Sequence, residues 1–412
     1  MNDSSALPTA TPSVTATMKV YLATILATAT AAIAIAVGLN YLVDPYILHQ
    51  WDSPALRRLT SAQQKLLPWG KTYAAFRYRP EVLLLGSSRS EIGLPADIPL
   101  FAGRRVLNLA ISGASVGDAA RMLRHSSRFA KPRLVVWGLD YGWQFREKTG
   151  NTDFIDELEA GDGPYALHRA LLDLKRSMSL TMTGDTLAVL SGSNERSCLP
   201  LLAYHGFKAP PCLEIIMKNE GGTRRAFEEV LRPKAPQGAP DDVSATIAFL
   251  EDSLRPTCSA GTTVRLFIQP LHALAELSYW NGLEEGVEEW KRQLTAMAER
   301  LRSGGCDLAL YDFSGFNRIT TEPTPQESGQ ESMAHYWEQS HYKGEVGELI
   351  LARLLGQGGG EKDDFGTELR PDTVEGHLAA SRLARQRYLD SRRERGLRQG
   401  RRRMESAAGN AP

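Results

Sequence analysis

An uncharged run from Val20 to Val43, entered from Lys19, constrains this chain more than any other stretch. At about 1.5 Å rise per residue, roughly 24 apolar residues in helical form cross a hydrocarbon core of about 30 Å. The run has no polar face, which counts against a helix buried in a soluble core. A cleaved signal peptide competes, because Ala27-Thr28-Ala29 offers small residues in the cleavage pattern. The apolar run continues past that point, longer than the roughly 7–15 residues of a signal h-region. An uncleaved transmembrane signal anchor over residues 18–43 is therefore expected, with Asn40, Tyr41 and Tyr46 near the far interface. The Ser/Thr/Ala/Pro-rich lead, residues 1–17, is expected to be a disordered cytoplasmic segment. Arg57, Arg58, Lys65 and Lys71 follow the helix and only Lys19 precedes it, which by charge bias alone would keep the trailing domain in the cytoplasm. A large domain translocates regardless of such charges, so the bias does not decide the side.

The 412 residues hold an anchor plus one large domain or two small ones. With 48 basic and 48 acidic residues the formal net charge is zero, so no global field favours nucleic acid. Cys198, Cys212, Cys258 and Cys306 permit three complete pairings. Pairs Cys198–Cys212 and Cys258–Cys306 would suit an oxidising compartment, and four scattered buried thiols are the alternative. The cysteines lack the spacing of a zinc site and no His-Glu-x-x-His occurs, so no metal is implied. Gly-x-Gly-x-x-Gly and Walker loops are also missing, and no nucleotide or other cofactor is expected.

After the anchor, Asp44-Pro45-Tyr46 stops the helix, and residues 44–79 read as a polar linker with amphipathic pieces. Val82-Leu83-Leu84-Leu85 then has the continuous apolar character of a buried parallel strand, ended by Gly86-Ser87-Ser88-Arg89. Taken alone, Gly-Ser-Ser is a turn with a helix cap. A second strand, 105–109, leads to a turn at Gly113 and a helix from Val116 to Phe129, and a third, Leu134 to Leu139, ends at Asp140. Strand, turn, helix, strand at this spacing is the grammar of a parallel sheet with crossover helices. Residues 142–240 break the pattern with helical pieces and Pro/Gly stretches, and read as an insertion over the sheet edge, a lid or a partner surface. The pattern returns with a helix over 241–254, a strand 264–268, a helix 284–301, a strand 308–312 and a helix 344–355. Residues 357–412 read as a charged, Arg-rich tail, solvated or disordered, with binding to an anionic polymer or lipid headgroups as the sharper alternative.

Ser88, Gly113 and Asp140 follow successive strands, and His341 precedes the last domain helix with Glu338 three residues upstream. This order resembles the SGNH hydrolase superfamily, the GDSL-like esterases and acyltransferases, over residues 80–356. The anchor ending in Tyr-Leu-Val-Asp-Pro and the Ser-His-Tyr element resemble bacterial membrane-anchored relatives linked to exopolysaccharide O-acetylation. The resemblance implies a three-layer α/β/α parallel sheet of the flavodoxin-like, SGNH type behind one transmembrane helix. Gly86-Ser87-Ser88-Arg89 aligns with the Gly-Asp-Ser-Leu block, which makes Ser88 the nucleophile. A serine hydroxyl attacks only when a base takes its proton, and His341 is the candidate base, with Glu338 where the family places the orienting aspartate.

Backbone N–H groups of Ser88 and Gly113 would stabilise the oxyanion, the glycine because close backbone approach tolerates no side chain. The family's third donor is an asparagine in a Gly-x-Asn block, where this chain has Asp140 in Gly138-Leu139-Asp140. An ionised carboxylate accepts and would repel an oxyanion, so either Asp140 is protonated, Asn108 substitutes, or hydrolytic power is weak. Arg89 reads as a surface charge or an anion contact, His272 as a substrate contact or a loop residue, and Trp337 and Tyr342 as sugar-stacking or packing rings.

The expectation from these residues is an anchored serine esterase or O-acetyltransferase acting on polysaccharide hydroxyls or esters. Its main domain would be periplasmic on the inner membrane, and a membrane partner protein would deliver the acyl group. The alternative is a catalytically decayed domain that binds polysaccharide or scaffolds an export complex.

Overall fold

Val82 to Leu85 are all buried, and a strand with no exposed face needs a layer on each side. The computed structural model describes residues 14–46, 48, 67–142, 144–147, 164–191, 205–206, 210–230, 240, 242–358 and 364–409. In it β1 (Val82–Leu85), β2 (Val106–Asn108), β3 (Leu134–Leu139), β4 (Thr263–Ile268), β5 (Leu308–Asp312) and β6 (Thr367–Glu368) form one sheet in the order β2-β1-β3-β4-β5-β6. The first five strands are parallel, and β6 runs antiparallel to β5. Val82 pairs with Val106 on one side and Leu134 on the other. Leu83 and Leu85 enter one core with Leu107, Val135 and Trp137, while Val82 and Leu84 enter a second with Val106, Leu134 and Val136. Because β2 and β3 lie on opposite sides of β1, the sheet reverses its winding there and opens a crevice at the carboxyl ends of the strands.

The helices are α1 (Val14–Val43), α2 (Leu67–Tyr78), α3 (Ser88–Gly93), α4 (Val116–Ser127), α5 (Tyr165–Ser177), α6 (Leu180–Ser191), α7 (Pro210–Asn219), α8 (Gly222–Val230), α9 (Val243–Ser259), α10 (Ala273–Tyr279), α11 (Glu284–Ser303), α12 (Pro325–Ser328), α13 (Gly344–Leu354) and α14 (Val374–Gly409). α4 starts where it does because Ser115 and Asp118 cap each other's backbone, and its apolar stripe of Ala119, Ala120, Met122 and Leu123 is buried. α2, α4, α9 and α11 cover one face of the sheet through Trp69, Met122, Leu250 and Trp290. α10, α13 and α14 cover the other through Leu274, Ile350 and Tyr388. The disulfide Cys258–Cys306 joins the end of α9 to the entry of β5. Cys198, the side chain of Cys212 and residues 1–13 lie outside the described residues.

α1 is long and apolar enough to cross a membrane, with mean hydropathy 2.2 over its most apolar window and none of that window buried. It meets the domain at its carboxyl end, where Asn40 Nδ2 donates to the Ser177 carbonyl at 2.8 Å and to Thr183 Oγ1 at 2.9 Å.

Two segments differ from their expected character. The second half of the 44–79 linker is a packed helix, because Trp69, Tyr73, Ala74 and Ala75 bury an apolar face that short polar flanks obscure in the sequence. Part of the Arg-rich tail is built into the domain: Phe365, Leu369, Val374 and Leu378 are buried, and β6 extends the sheet. Arg382, Arg385 and Arg392 pair with Glu288, Glu284 and Glu327, a solvated face over an apolar stripe.

Candidate active site

The turn after β1 admits only glycine at its first position. Gly86 has φ +139°, and a Cβ there would lie 2.4 Å from Ser90 Oγ and 2.9 Å from the Gly138 carbonyl oxygen. Ser87 then caps α3, its Oγ accepting the Arg89 N–H at 3.4 Å, and Ser88 is the first residue of the helix, half-buried at the crevice.

The partner loop arrives from 253 residues away. Tyr336 and Tyr342 pair in an antiparallel bridge, and the Trp337 N–H donates to the His341 carbonyl at 2.9 Å, so the residues between them form a closed turn. Glu338 fixes the inside of that turn, accepting the Ser340 N–H at 3.1 Å and the His341 N–H at 2.8 Å. Its Oε1 also takes a short hydrogen bond from His341 Nδ1, and Ser340 Oγ donates to it at 3.1 Å. With Nδ1 held this way, Nε2 of His341 lies 2.8 Å from Ser88 Oγ. Burial alone would raise the Glu338 carboxyl, but the His341 charge and the hydrogen bonds from His341 and Ser340 outweigh it and hold the group below the usual range. Glu338 is thus kept as an acceptor, the state that fixes an imidazole tautomer.

Asp140 does not stand as an oxyanion donor. Its Oδ2 accepts Ser87 Oγ–H at 2.6 Å and Gln269 Nε2–H at 3.0 Å, and its Oδ1 is paired with Arg89. Ser87, Gln269 and Arg89 all donate to this carboxylate, which stands in their midst as an acceptor. Arg89 is likewise turned inward: Nε donates to the Ser340 carbonyl at 3.1 Å, so the guanidinium straps the His341 turn to the strand that carries Asp140. Burial would lower the Arg89 pKa, yet the Asp140 charge and hydrogen bond raise it.

Asn108 is also committed elsewhere, donating to the Ser90 and Leu94 carbonyls at 2.8 and 2.9 Å and accepting the Ala110 N–H at 3.0 Å. It shapes the β2 exit and has no donor left for an oxyanion. Tyr342 is fully buried, its hydroxyl donating to Gln269 Oε1 at 3.0 Å, so it packs and does not stack on a sugar. His272 is a helix cap: Nδ1 accepts the Leu274 N–H at 3.2 Å and Nε2 lies 2.8 Å from the Glu322 carbonyl, with burial lowering its pKa to about 4.

Gly113 has φ +75° in the turn closed by the Ala114 N–H on the Ile111 carbonyl at 3.0 Å. Neighbouring Ser112 faces the same groove as Ser88, and its Oγ donates to Glu91 Oε2 at 2.6 Å. Glu91 in turn pairs at 2.8 Å with Lys71 of α2, both side chains fully buried. Lys71, Glu91, Gln269 and Ser340 shape the site in roles that the sequence motifs do not assign. A glutamate beside Ile92 and Leu94 on a helix under a strand end was the available signal, since such a buried carboxylate needs a cation.

Ser88 and His341 open onto a groove of about 630 Å³. Ile92, Leu213, Met217 and Trp337 give it one apolar wall, and Glu220 and Arg225 from the insertion give it a charged rim. The arrangement can transfer a proton from a hydroxyl to an imidazole next to space for a small acyl group and a polar acceptor. Among the described residues no cluster of His, Cys, Asp and Glu is arranged to hold a metal ion.

No family model matches the chain, and no curated protein matches it. Among solved structures, one provisionally described as a platelet activating factor from Streptococcus pneumonia is similar at 11% identity, covering 71% of this chain and 91% of that one with a TM-score of 0.33. A likeness that slight assigns neither fold nor chemistry to this chain.

Proposed function

We propose that this chain is a membrane-anchored serine acyl-transfer enzyme of the SGNH type, an esterase or O-acetyltransferase acting on polysaccharide hydroxyls or esters. The observation that carries the reading is the Ser88–His341–Glu338 relay, with 2.8 Å between Ser88 Oγ and His341 Nε2. The strand order 2-1-3-4-5, which is that of flavodoxin-like sheets, supports the fold type. The disulfide Cys258–Cys306 favours an oxidising, extracytoplasmic side for the domain, where a membrane partner would supply the acyl group.

In the first step His341 Nε2 takes the Ser88 proton as Oγ attacks the donor's carbonyl carbon, and the carbonyl π pair moves onto oxygen. Backbone N–H groups of Ser88 and Gly113 receive that oxyanion in this reading. Collapse expels the donor alkoxide, which takes the proton from His341 and leaves an acyl ester on Ser88. In the second step His341 deprotonates a sugar hydroxyl or water, which attacks the ester, and Ser88 leaves with the proton. Throughout, Glu338 holds Nδ1–H and stabilises the imidazolium.

A polysaccharide-binding or scaffolding domain without turnover is the second reading, and one observation favours it. Asp140 is an acceptor engaged by Ser87, Gln269 and Arg89 where the family carries an oxyanion donor. Release of p-nitrophenol from p-nitrophenyl acetate by the full chain in detergent separates the two. The acyl-transfer reading expects turnover that Ser88→Ala abolishes, and equal rates for the two proteins would overturn it.

A further inference from the structure

The hairpin of α5 and α6 carries an apolar face that no described element covers. Leu167, Leu171, Leu174 and Met178 recur at i, i+4, i+7 and i+11 on α5, each more than half exposed. Leu180, at the start of α6, is 89% exposed, and Leu187 and Leu190 continue the face. The opposite sides of both helices are buried through Arg169, Ser177, Met182, Thr186 and Val189. Seven exposed large apolar side chains on one hairpin of a folded domain mark an interaction surface.

The identity of the covering surface comes from α1. Past Lys19, residues 20–35 of α1 are uncharged and exposed along their whole length, about 24 Å at 1.5 Å per residue, most of the thickness of a hydrocarbon core. Burial begins at Ala36, where α1 packs against α5 and α6, and Asn40 bonds to Ser177 and Thr183 at the turn between them. The hairpin therefore meets α1 over the last turns of its uncharged run, near where α1 leaves the hydrocarbon, and its leucine face lies beside the lipid-suited surface of α1. Most of its charges are held by the domain: Asp185, the only charged residue of α6, takes a hydrogen bond from Tyr46 at 2.7 Å, and Arg176 of α5 stacks on the Trp69 ring at 3.8 Å. Lys175, exposed one turn after Leu171 at the edge of the leucine face, has the long stem that lets an ammonium reach lipid headgroups.

We propose that the α5–α6 hairpin is a second membrane contact, lying in the bilayer surface beside α1 with its leucine face among the acyl chains. The occupant is the lipid bilayer itself, and the inference rests on α1 crossing that bilayer. Amphipathic helices hold this position by burying apolar side chains about 5–10 Å deep. Attachment at two places fixes the tilt of the domain. α5 is clasped to α2 through Arg169 over the Tyr73 ring, and α2 reaches the site through Lys71 and Glu91. The groove at Ser88 is thereby held in one orientation relative to the membrane that would deliver its acyl donor.

Spin labels on the full chain in phosphatidylethanolamine/phosphatidylglycerol nanodiscs test this. Labels go on Leu171→Cys, Leu187→Cys, Ile33→Cys and Leu349→Cys, with the unsubstituted chain as background. Collision with oxygen should exceed collision with a water-soluble nickel complex at 33, 171 and 187, with the reverse at the exposed Leu349 on α13. Nickel access at 171 and 187 while 33 stays in lipid overturns the hairpin contact alone. Exclusion of both reagents at 171 and 187 overturns it too, because a protein then covers the face. Nickel access at 33 would instead remove the anchor on which it rests.

Discussion

Gly347 passes Gly93 so closely that a Cβ added to Gly347 would lie 1.7 Å from the Gly93 carbonyl oxygen. This contact docks α13, which follows His341, onto α3, which begins with Ser88, so it sets the spacing between the two side chains. A methyl there must push backbone, and overpacking of this kind costs about 1–3 kcal/mol. Gly347→Ala is expected to lower Tm and slow acylation of Ser88 together. Gly376→Ala on α14, with nothing within 4 Å, should change neither downward. Melting curves and acylation rates on both variants check the pair, and an unchanged rate in Gly347→Ala would refute the spacing role.

Asp140 separates the two functional readings. If it is a vacated oxyanion donor, Asp140→Asn restores an amide and raises hydrolysis. If it anchors Arg89, Ser87 and Gln269, the same change leaves the Arg89 guanidinium uncompensated and loosens the His341 turn. Loss of a hydrogen bond to a charged group, about 1.5 kcal/mol or more, is about tenfold in rate if it is felt at the transition state. The account expects a fall of about tenfold in ester turnover, read by steady-state kinetics with Asp140→Asn.

The Lys71–Glu91 pair makes α2 part of the site. Removing one partner of a fully buried pair leaves an unpaired charge and costs about 3–5 kcal/mol. Lys71→Met should therefore unfold at markedly lower denaturant, while Lys71→Met with Glu91→Met should recover much of the loss. A single variant as stable as the parent would place α2 outside the cooperative unit.

Glu276 gives a pH signature. Burial raises its carboxyl to about 7, against opposing effects of Lys291 and the Gly315 N–H. A raised acid binds more protons folded than unfolded, so its contribution is full below about pH 4.5 and is lost as pH rises through 7. His272, lowered to about 4, contributes the opposite slope up to its ordinary value. The difference in Tm between the parent and Glu276→Gln isolates the first. That difference should fall in the parent's disfavour between pH 5 and 7.5, and a flat difference would contradict it.

The strands and the placing of Ser88, His341 and Glu338 together are written in local sequence: continuous apolar runs for β1 and β3, Gly-Ser-Ser at a strand end, and Glu338 three residues before His341. The i, i+3 spacing alone puts a carboxylate where a turn folds it onto the imidazole. The Asp140 pairing is not legible, because its partner, Arg89, is 51 residues away and reads in sequence equally as a surface charge or an anion contact. His272, a substrate contact or a loop residue in sequence, shows itself as a helix cap only once the helix that follows it is in place. α14 hid its apolar stripe beneath arginines, and α2 hid its buried lysine, because the pairing that neutralises a charge is tertiary.

Whether His341 activates Ser88 is read from the intact mass and peptide map of the full chain after treatment with an organophosphonate. One adduct on Ser88 is expected in the parent, none in Ser88→Ala, and much slower labelling in His341→Ala with the fold retained. A natively folded parent that takes no label, or takes it at another serine, would contradict it.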